Sequence, residues 1–118
     1  MAMTREEILN IKDFEIIEVK VPEWGKDSSI FIKTMSGGDR DRFEIEFLNF
    51  QETKKFDNLR AKYVSFCICD EAGKCLFNTK DIEALGSKSA KAIERIYNAC
   101  KKLNGFHDKD EQKLLEKN

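Results

Sequence analysis

The sequence predicts an α+β protein in which an N-terminal antiparallel β-hairpin packs on a bundle of about four to five helices. Apolar and polar residues alternate early in the chain, as they do in half-buried strands, and recur further along at the helical steps of three and four. The 118 residues correspond to one domain, which excludes a multi-domain enzyme. Residues 1–106 are predicted to form a single α+β domain, and residues 107–118 a polar C-terminal tail that is helical or flexible.

Three elements are predicted before residue 34. Thr4 and Glu7 have the spacing of a capping box, which predicts a short helix ending at about Leu9. Two strands follow, separated by a turn that begins at Pro22, the only proline of the chain. Their alternating apolar residues are Ile17, Val19 and Val21 in the first strand, and Ile30 and Ile32 in the second. Because a lone hairpin is marginally stable, helices are expected to cover one of its faces.

A longer helix is predicted after the second strand. Ser36 is suited to the N-cap, and Asp39 places a carboxylate near the exposed N–H groups of the first turn. Three aromatic residues at spacings of four and three share one face of this helix. They are Phe43, Phe47 and Phe50. The helix is expected to end at residues 54–55, and the next one to begin near Asp57.

The most apolar stretch, residues 59–69, fits either a central buried helix or a strand, because residues 63–69 contain only one polar residue, Ser65, to reveal a period. Its lead-in, Leu59–Lys62, favours the helix. Asp70–Lys74 is predicted to be a turn with Gly73 at positive φ. A brief extended segment at residues 75–77 is expected to follow.

Two helices are predicted in the last third of the chain. Asn78–Asp81 is a capping signal for a short helix that ends at Gly86, with this glycine in the left-handed C-cap conformation. Ser87 is expected to cap a longer helix that ends at Asn104–Gly105. The apolar positions of the longer helix are Ala90, Ile93, Ile96, Tyr97, Cys100 and Leu103.

The charge of the chain is balanced, with 21 basic and 22 acidic residues and a formal net charge of -1. Binding of nucleic acid requires clustered Lys and Arg, so a protein partner is expected and nucleic acid is not. No apolar run approaches the ~20 residues of a membrane helix, and no targeting signal is visible. The protein is therefore expected to be soluble and intracellular, without a membrane partner, and with its four cysteines reduced.

Potential metal ligands are Cys67, Cys69, Cys75, Cys100 and the single histidine, His107. Cys67 and Cys69 would point ~200° apart on a helix, which does not match the C-x₂₋₄-C pairs of zinc sites. Small core hydrophobes are the preferred interpretation of Cys67, Cys69 and Cys100. No paired nucleophile and base and no glycine-rich phosphate loop occur in the sequence. We therefore expect neither catalysis nor a metal or cofactor.

Several apolar residues are expected at the periphery, where they could bind a protein partner. These candidates are Trp24, Phe50, Phe56, Phe106, Leu114 and Leu115. For each of them taken singly, packing on the protein's own core is the preferred interpretation, since single apolar residues near a protein surface are common. A contiguous cluster would favour partner binding.

A series of short segments runs through nearly all of the chain: Thr4–Leu9, Glu18–Gly25, Ser36–Glu44, Asn58–Lys62, Cys69–Lys74, Leu76–Phe77, Asp81–Ala90 and Leu103–Gly105. Their order resembles the tail assembly chaperones of long-tailed bacteriophages and related prophages. The resemblance implies a small non-catalytic protein of the host cell cytoplasm that binds the tape-measure protein, promotes assembly of tail-tube protein around it and is absent from the finished particle.

Two further expectations follow from this resemblance. Many weakly bound copies could cover a long tape-measure chain, so an exposed apolar groove and weak homo-oligomerisation are predicted. In some members of the family a frameshift appends a second domain, and residues 114–118 are where such an extension would begin. The alternative is a small structural tail component, such as a tail-completion or connector protein.

Overall fold

The structure, a computed structural model, describes residues 1–53 and 57–106, without the side chains of residues 50, 51 and 53. Within these residues the α-helices are α1 (Arg5–Asn10), α2 (Gly37–Thr53), α3 (Leu59–Ser65), α4 (Ile82–Gly86) and α5 (Ala90–Asn104). The strands are β1 (Ile16–Lys20), β2 (Ser29–Lys33) and β3 (Ile68–Cys69), and two 3₁₀ turns lie at Pro22–Trp24 and Thr79–Asp81. The predicted α+β class, with an N-terminal hairpin followed by helices, is confirmed.

The three strands form one antiparallel sheet in the order β1-β2-β3. β2 lies in the middle, pairing with β1 over its whole length and with β3 through Phe31 and Ile32. β1 lies at an edge of this sheet, and only Val19 among its residues is partly buried. The hairpin therefore gains its support from a third strand as well as from the helices.

The preference for helix throughout residues 59–69 is wrong in its last part. α3 ends at Ser65, and the chain then turns so that Ile68 and Cys69 pair with β2. Ile68 and Cys69 are each 1% exposed. Ile68 belongs to the core between the sheet and the helices, and Cys69 is paired with Cys75 on the segment that returns after the turn. A strand buried on both faces is apolar throughout, as a buried helix is, so the pattern alone does not separate them.

Most of the predicted helix ends are confirmed by their hydrogen bonds. The Thr4 hydroxyl accepts from the Glu7 N–H at 3.2 Å, and the Glu7 carboxylate accepts from the Thr4 N–H at 3.0 Å. Ser36 accepts from the backbone N–H of Asp39 at 3.0 Å at the start of α2. Gly105 ends α5 in the left-handed conformation at φ 65°. These local signals need only a few neighbouring residues, which is why the sequence carries them clearly.

Two predicted caps near the start of α5 are wrong. Ser89, and not Ser87, accepts from the N–H of Ala92 at 3.1 Å and caps the helix. Gly86 remains in α4 and has no positive φ. Its role is close packing: a Cβ atom at position 86 would lie 1.9 Å from Oδ1 of Asn58, which has the left-handed φ of 62° before α3.

We expect the substitution Gly86→Ala to destabilise the protein by about 1–2 kcal/mol, because the added methyl group displaces Asn58. Chemical unfolding monitored by circular dichroism measures the change. The double substitution with Asn58→Gly should restore at least wild-type stability, since glycine removes the obstructing side chain and accepts positive φ without strain. An equal loss in the single and double variants would contradict the proposed clash.

The core lies between the sheet and helices α2, α3 and α5. Aromatic side chains fill its centre: Phe43, Phe66, Tyr63, Tyr97 and Phe106. The Tyr63 ring lies edge-on to Phe43 at 5.0 Å and stacks on Phe106 at 5.4 Å between centroids. The Arg40 guanidinium covers the Phe106 ring at 4.4 Å. Cys67, Cys69 and Cys100 are at most 1% exposed, which confirms their interpretation as core residues.

Asn104 connects the end of α5 to the chain segment between β2 and α2. Its Oδ1 accepts a hydrogen bond from the N–H of Met35 at 2.6 Å, and its Nδ2 donates to the Cys100 carbonyl at 2.9 Å. Met35 is 8% exposed, so its N–H depends on a protein partner. One amide side chain thus satisfies backbone groups from two distant parts of the sequence.

Candidate protein-binding groove

A surface groove is lined by Trp24, Phe77, Asp81, Ala84, Leu85 and Lys88. Its first wall is the 3₁₀ turn Pro22–Trp24. Pro22 opens this turn, and the Trp24 N–H donates to the Val21 carbonyl at 3.0 Å. Val21 is fully buried and anchors the turn on the core. Trp24 comes after these anchored residues in the chain and is 37% exposed. The sequence prediction of a peripheral Trp24 in a turn therefore agrees with its position.

An ion pair holds this turn on α5. Both carboxylate oxygens of Glu23 accept from the Arg95 guanidinium, with N···O distances of 2.9, 3.2 and 2.9 Å. The planar guanidinium matches the carboxylate in this two-point geometry. The hydrogen bonds from Arg95 also lower the pKa of Glu23 below its ordinary value of 4.5. The ion pair therefore orients the turn, and with it the base of the indole.

Because the pKa of Glu23 is lower in the folded than in the unfolded chain, its ion pair stabilises the fold above the unfolded pKa. That contribution should disappear as pH falls through the folded pKa. We expect the difference in melting temperature between wild type and Glu23→Gln to be largest at neutral pH, and to shrink under acidic conditions and in high salt. The pKa of Glu23 measured by NMR titration should rise in Arg95→Gln. An unchanged pKa in that variant would contradict the assignment.

The second wall of the groove comes from α4 and the turn before it. Asn78 caps this turn, accepting from the Lys80 N–H at 2.9 Å, while the Asp81 carboxylate accepts from the Asn78 N–H at 2.9 Å. This capping box fixes the direction of α4 after Phe77. The groove has a volume of about 430 Å³ and is lined by Trp24, Phe77, Asp81, Ala84, Leu85 and Lys88.

The groove is suited to holding an apolar side chain and offers little for catalysis. Its floor is hydrocarbon, and Asp81 and Lys88 supply one acidic and one basic group among its lining residues. The Asp81 carboxylate is engaged in the capping box described above. No group of three or more potential metal ligands occurs among residues 1–53 and 57–106. The groove is therefore a candidate protein-binding surface, with Trp24 as its large aromatic residue.

The six predicted partner-binding residues do not form one surface in the part of the chain that the structure describes. Trp24 lines the groove. Phe106 is 2% exposed inside the aromatic core, so the expectation of a peripheral position for it is wrong. The backbone changes direction at Gly105, and the Phe106 ring stacks on Tyr63. Phe56, Leu114, Leu115 and the side chain of Phe50 lie outside the described residues.

Sequence reasoning missed the groove residues opposite Trp24. Phe77 precedes the capping signal at Asn78, and Leu85 lies in the helix that follows this signal. The signal predicts the helix but not which residues line a groove with it. Trp24 and Phe77 are far apart in the sequence, so no local pattern joins them. Only the folded chain brings the two walls together, because both line the same groove.

A second exposed apolar surface lies on the outer side of α2. Phe43 and Phe47 are buried on its inner side, whereas Ile45 and Leu48 are 66% and 49% exposed. A shallow groove runs along Ile45 and Leu48. The helix thus has apolar residues on both sides, unlike α5, whose buried and exposed residues separate cleanly.

The N-terminal region is also apolar and exposed. No residue of α1 is buried, and Ile8, Leu9 and Phe14 are more than half exposed. These residues precede the edge strand β1 in the chain. None of the helices in residues 1–53 and 57–106 is long and apolar enough to cross a bilayer. Exposed apolar residues next to a sheet edge are typical of regions that contact other proteins.

Comparison with protein-family models gives no match, and comparison with curated proteins gives none either. Among solved structures, the bacteriophage HK97 tail assembly chaperone superposes with a TM-score of 0.57 over 87% of this chain and 95% of its own, at 22% sequence identity. The chain has the fold of that tail assembly chaperone. The predicted resemblance is confirmed at this level. Because the superposition with the tail assembly chaperone covers most of both chains, the similarity concerns the whole architecture and not one motif.

Proposed function

We propose that this protein is a phage tail assembly chaperone that binds the tape-measure protein and promotes assembly of the tail tube, without catalysis, in the host cell cytoplasm. The observation that carries the proposal is the shared fold, which extends over 87% of this chain and 95% of the HK97 chaperone. The order of the sequence segments supports the same assignment independently of the structure.

The surface chemistry is consistent with this role. The resemblance implies a tape-measure protein that is long and mostly helical, and an amphipathic helix presents apolar anchors at steps of three and four. The groove offers Phe77 and Leu85 as an apolar floor and Trp24 as a partly exposed aromatic wall. Asp81 and Lys88 can face charges of either sign on the polar side of such a helix.

Many copies are required to cover a long chain, and multivalent binding lets each contact be weak. We therefore include weak homo-oligomerisation and contact with tail-tube protein in the proposal. The exposed residues Ile8, Leu9 and Phe14 and the edge strand β1 support self-association. Size-exclusion chromatography over a range of protein concentrations detects this self-association as a change in elution volume.

The experiment that tests the function is co-expression with the tape-measure protein of the same phage or prophage genome. Affinity purification of one protein should recover the other, and the tape-measure protein should be more soluble with the chaperone than without it. A tape-measure protein that stays insoluble, with no complex recovered, would overturn the proposal. Mass spectrometry of purified particles should not detect this chain, and its presence there would favour the structural tail component.

We expect Trp24→Ala to weaken binding of the tape-measure protein about 30-fold, since truncating a central aromatic anchor costs about 2 kcal/mol. Isothermal titration with a soluble tape-measure fragment measures the change, and thermal unfolding confirms that the variant is folded. Leu76→Ala is the control, because this residue is also apolar and exposed but lies outside the groove and outside the surface proposed for self-association. Equal affinity of the two variants would show that the groove is not the binding site.

A further inference from the structure

Two cysteines face each other in the sheet outside the groove. Cys69, at the end of β3, is paired with Cys75 after the turn that follows. On one side of this pair the Asp70 N–H donates to the Lys74 carbonyl at 2.9 Å, and on the other the Leu76 N–H donates to the Ile68 carbonyl at 3.1 Å. The cysteines themselves therefore occupy a non-hydrogen-bonded antiparallel position.

This position brings the two side chains to the same face of the sheet and close together. Opposite Cα atoms in such a pair are about 4.5 Å apart. A disulfide requires Cα atoms separated by roughly 4.4–6.8 Å. The backbone thus already has a spacing that a disulfide accepts.

The turn between the cysteines is held firmly in this register. The Asp70 carboxylate accepts from the N–H groups of Ala72 and Lys74 at 2.8 and 3.0 Å. Gly73 has a φ of 88°, and its carbonyl accepts from the Lys33 ammonium at 2.8 Å. Because several bonds fix the turn, approach of the two sulfurs needs only side-chain rotation.

The two thiols differ in access. Cys75 is partly exposed, and its Sγ donates to the Phe66 carbonyl at 3.7 Å. Cys69 is 1% exposed, and its burial raises its pKa above the ordinary value. A reagent therefore meets Cys75 first, while Cys69 is placed to react with whatever forms on Cys75.

We propose that Cys69 and Cys75 form an oxidisable dithiol that closes to an intrachain disulfide by exchange with a low-molecular-weight disulfide. The Cys75 thiolate attacks one sulfur of that disulfide and displaces the first small thiolate. Cys69 then attacks Sγ of Cys75, its proton passing to the second small thiolate as that group leaves. Two protein thiols are oxidised, and one disulfide is reduced to two thiols.

The test is incubation of the folded full-length chain with oxidised glutathione, followed by alkylation with N-ethylmaleimide and peptide mapping by mass spectrometry. We expect a cross-linked peptide containing Cys69 and Cys75 that has lost two hydrogen atoms. Cys67 and Cys100, both fully buried, are internal controls that should be alkylated only after unfolding.

Single substitutions separate the two steps. Cys69→Ser should stop at a stable mixed disulfide of Cys75 with glutathione, and Cys75→Ser should leave Cys69 unmodified in the folded protein. Accumulation of that mixed disulfide in the wild-type chain would overturn the proposal. A Cys67–Cys100 cross-link in its place would overturn it as well. Both variants keep small side chains, and circular dichroism checks that they fold.

Discussion

Phe106→Ala is expected to destabilise the protein by about 3–5 kcal/mol, the range for truncating a buried aromatic residue. The ring is 2% exposed, stacks on Tyr63 and lies under the Arg40 guanidinium, so its removal leaves a cavity in the centre of the aromatic core. Small domains have total stabilities of about 5–15 kcal/mol, and the variant should therefore unfold at a much lower urea concentration.

The exposed Phe14 supplies the matched control, since Phe14→Ala removes the same ring from the surface. It should change stability by less than about 0.5 kcal/mol. If Phe106→Ala fails to fold, Phe106→Leu offers a milder test, because it retains most of the apolar contacts. Wild-type stability in both Phe106 variants would contradict the core position and restore this residue as a candidate for partner binding.

Asn104→Ala is expected to cost about 1–3 kcal/mol, because it leaves the N–H of Met35 without its partner in a buried site. The Cys100 carbonyl also loses the hydrogen bond that the Asn104 side-chain amide donates to it. Hydrogen exchange should show faster exchange of the Met35 amide, and urea unfolding should give the loss of stability.

Asn98→Ala is the control for this prediction, since Asn98 lies on the same helix and is exposed. Asn104→Asp should be intermediate, because its carboxylate still accepts from Met35 but cannot donate to Cys100. Equal stability of the Ala and Asp variants would show that the hydrogen bond to Met35 does not stabilise the connection between α5 and α2.

The elements that sequence reasoning located correctly are those encoded by neighbouring residues. The capping box at Thr4, the N-cap at Ser36 and the positive φ of Gly73 each depend on a few adjacent positions. The periodic apolar positions of α5 also separate cleanly into buried and exposed faces. In these places local preference and tertiary packing favour the same structure.

The failures share a different cause, which is the contribution of distant residues. Position 86 holds a glycine because the Asn58 side chain lies where a Cβ atom would be. Ile68 is a strand residue because it pairs with Ile32. The sequence predicts a peripheral Phe106, whereas the turn at Gly105 directs its ring inward. The sequence predicts the exposed position of Trp24 but not the α4 residues that line the groove with it.

The order of the sheet has a consequence for folding kinetics. β1 and β2 are neighbours in sequence, so their pairing closes a short loop, whereas the pairing of Ile32 with Ile68 must enclose all of α2 and α3. The entropic cost of closure grows with loop length, and non-local pairing slows folding. We therefore expect the N-terminal hairpin to form early and the third strand to dock only after the two helices are in place. A newly synthesised chain would thus expose the unpaired edge of β2 until residue 69 has left the ribosome.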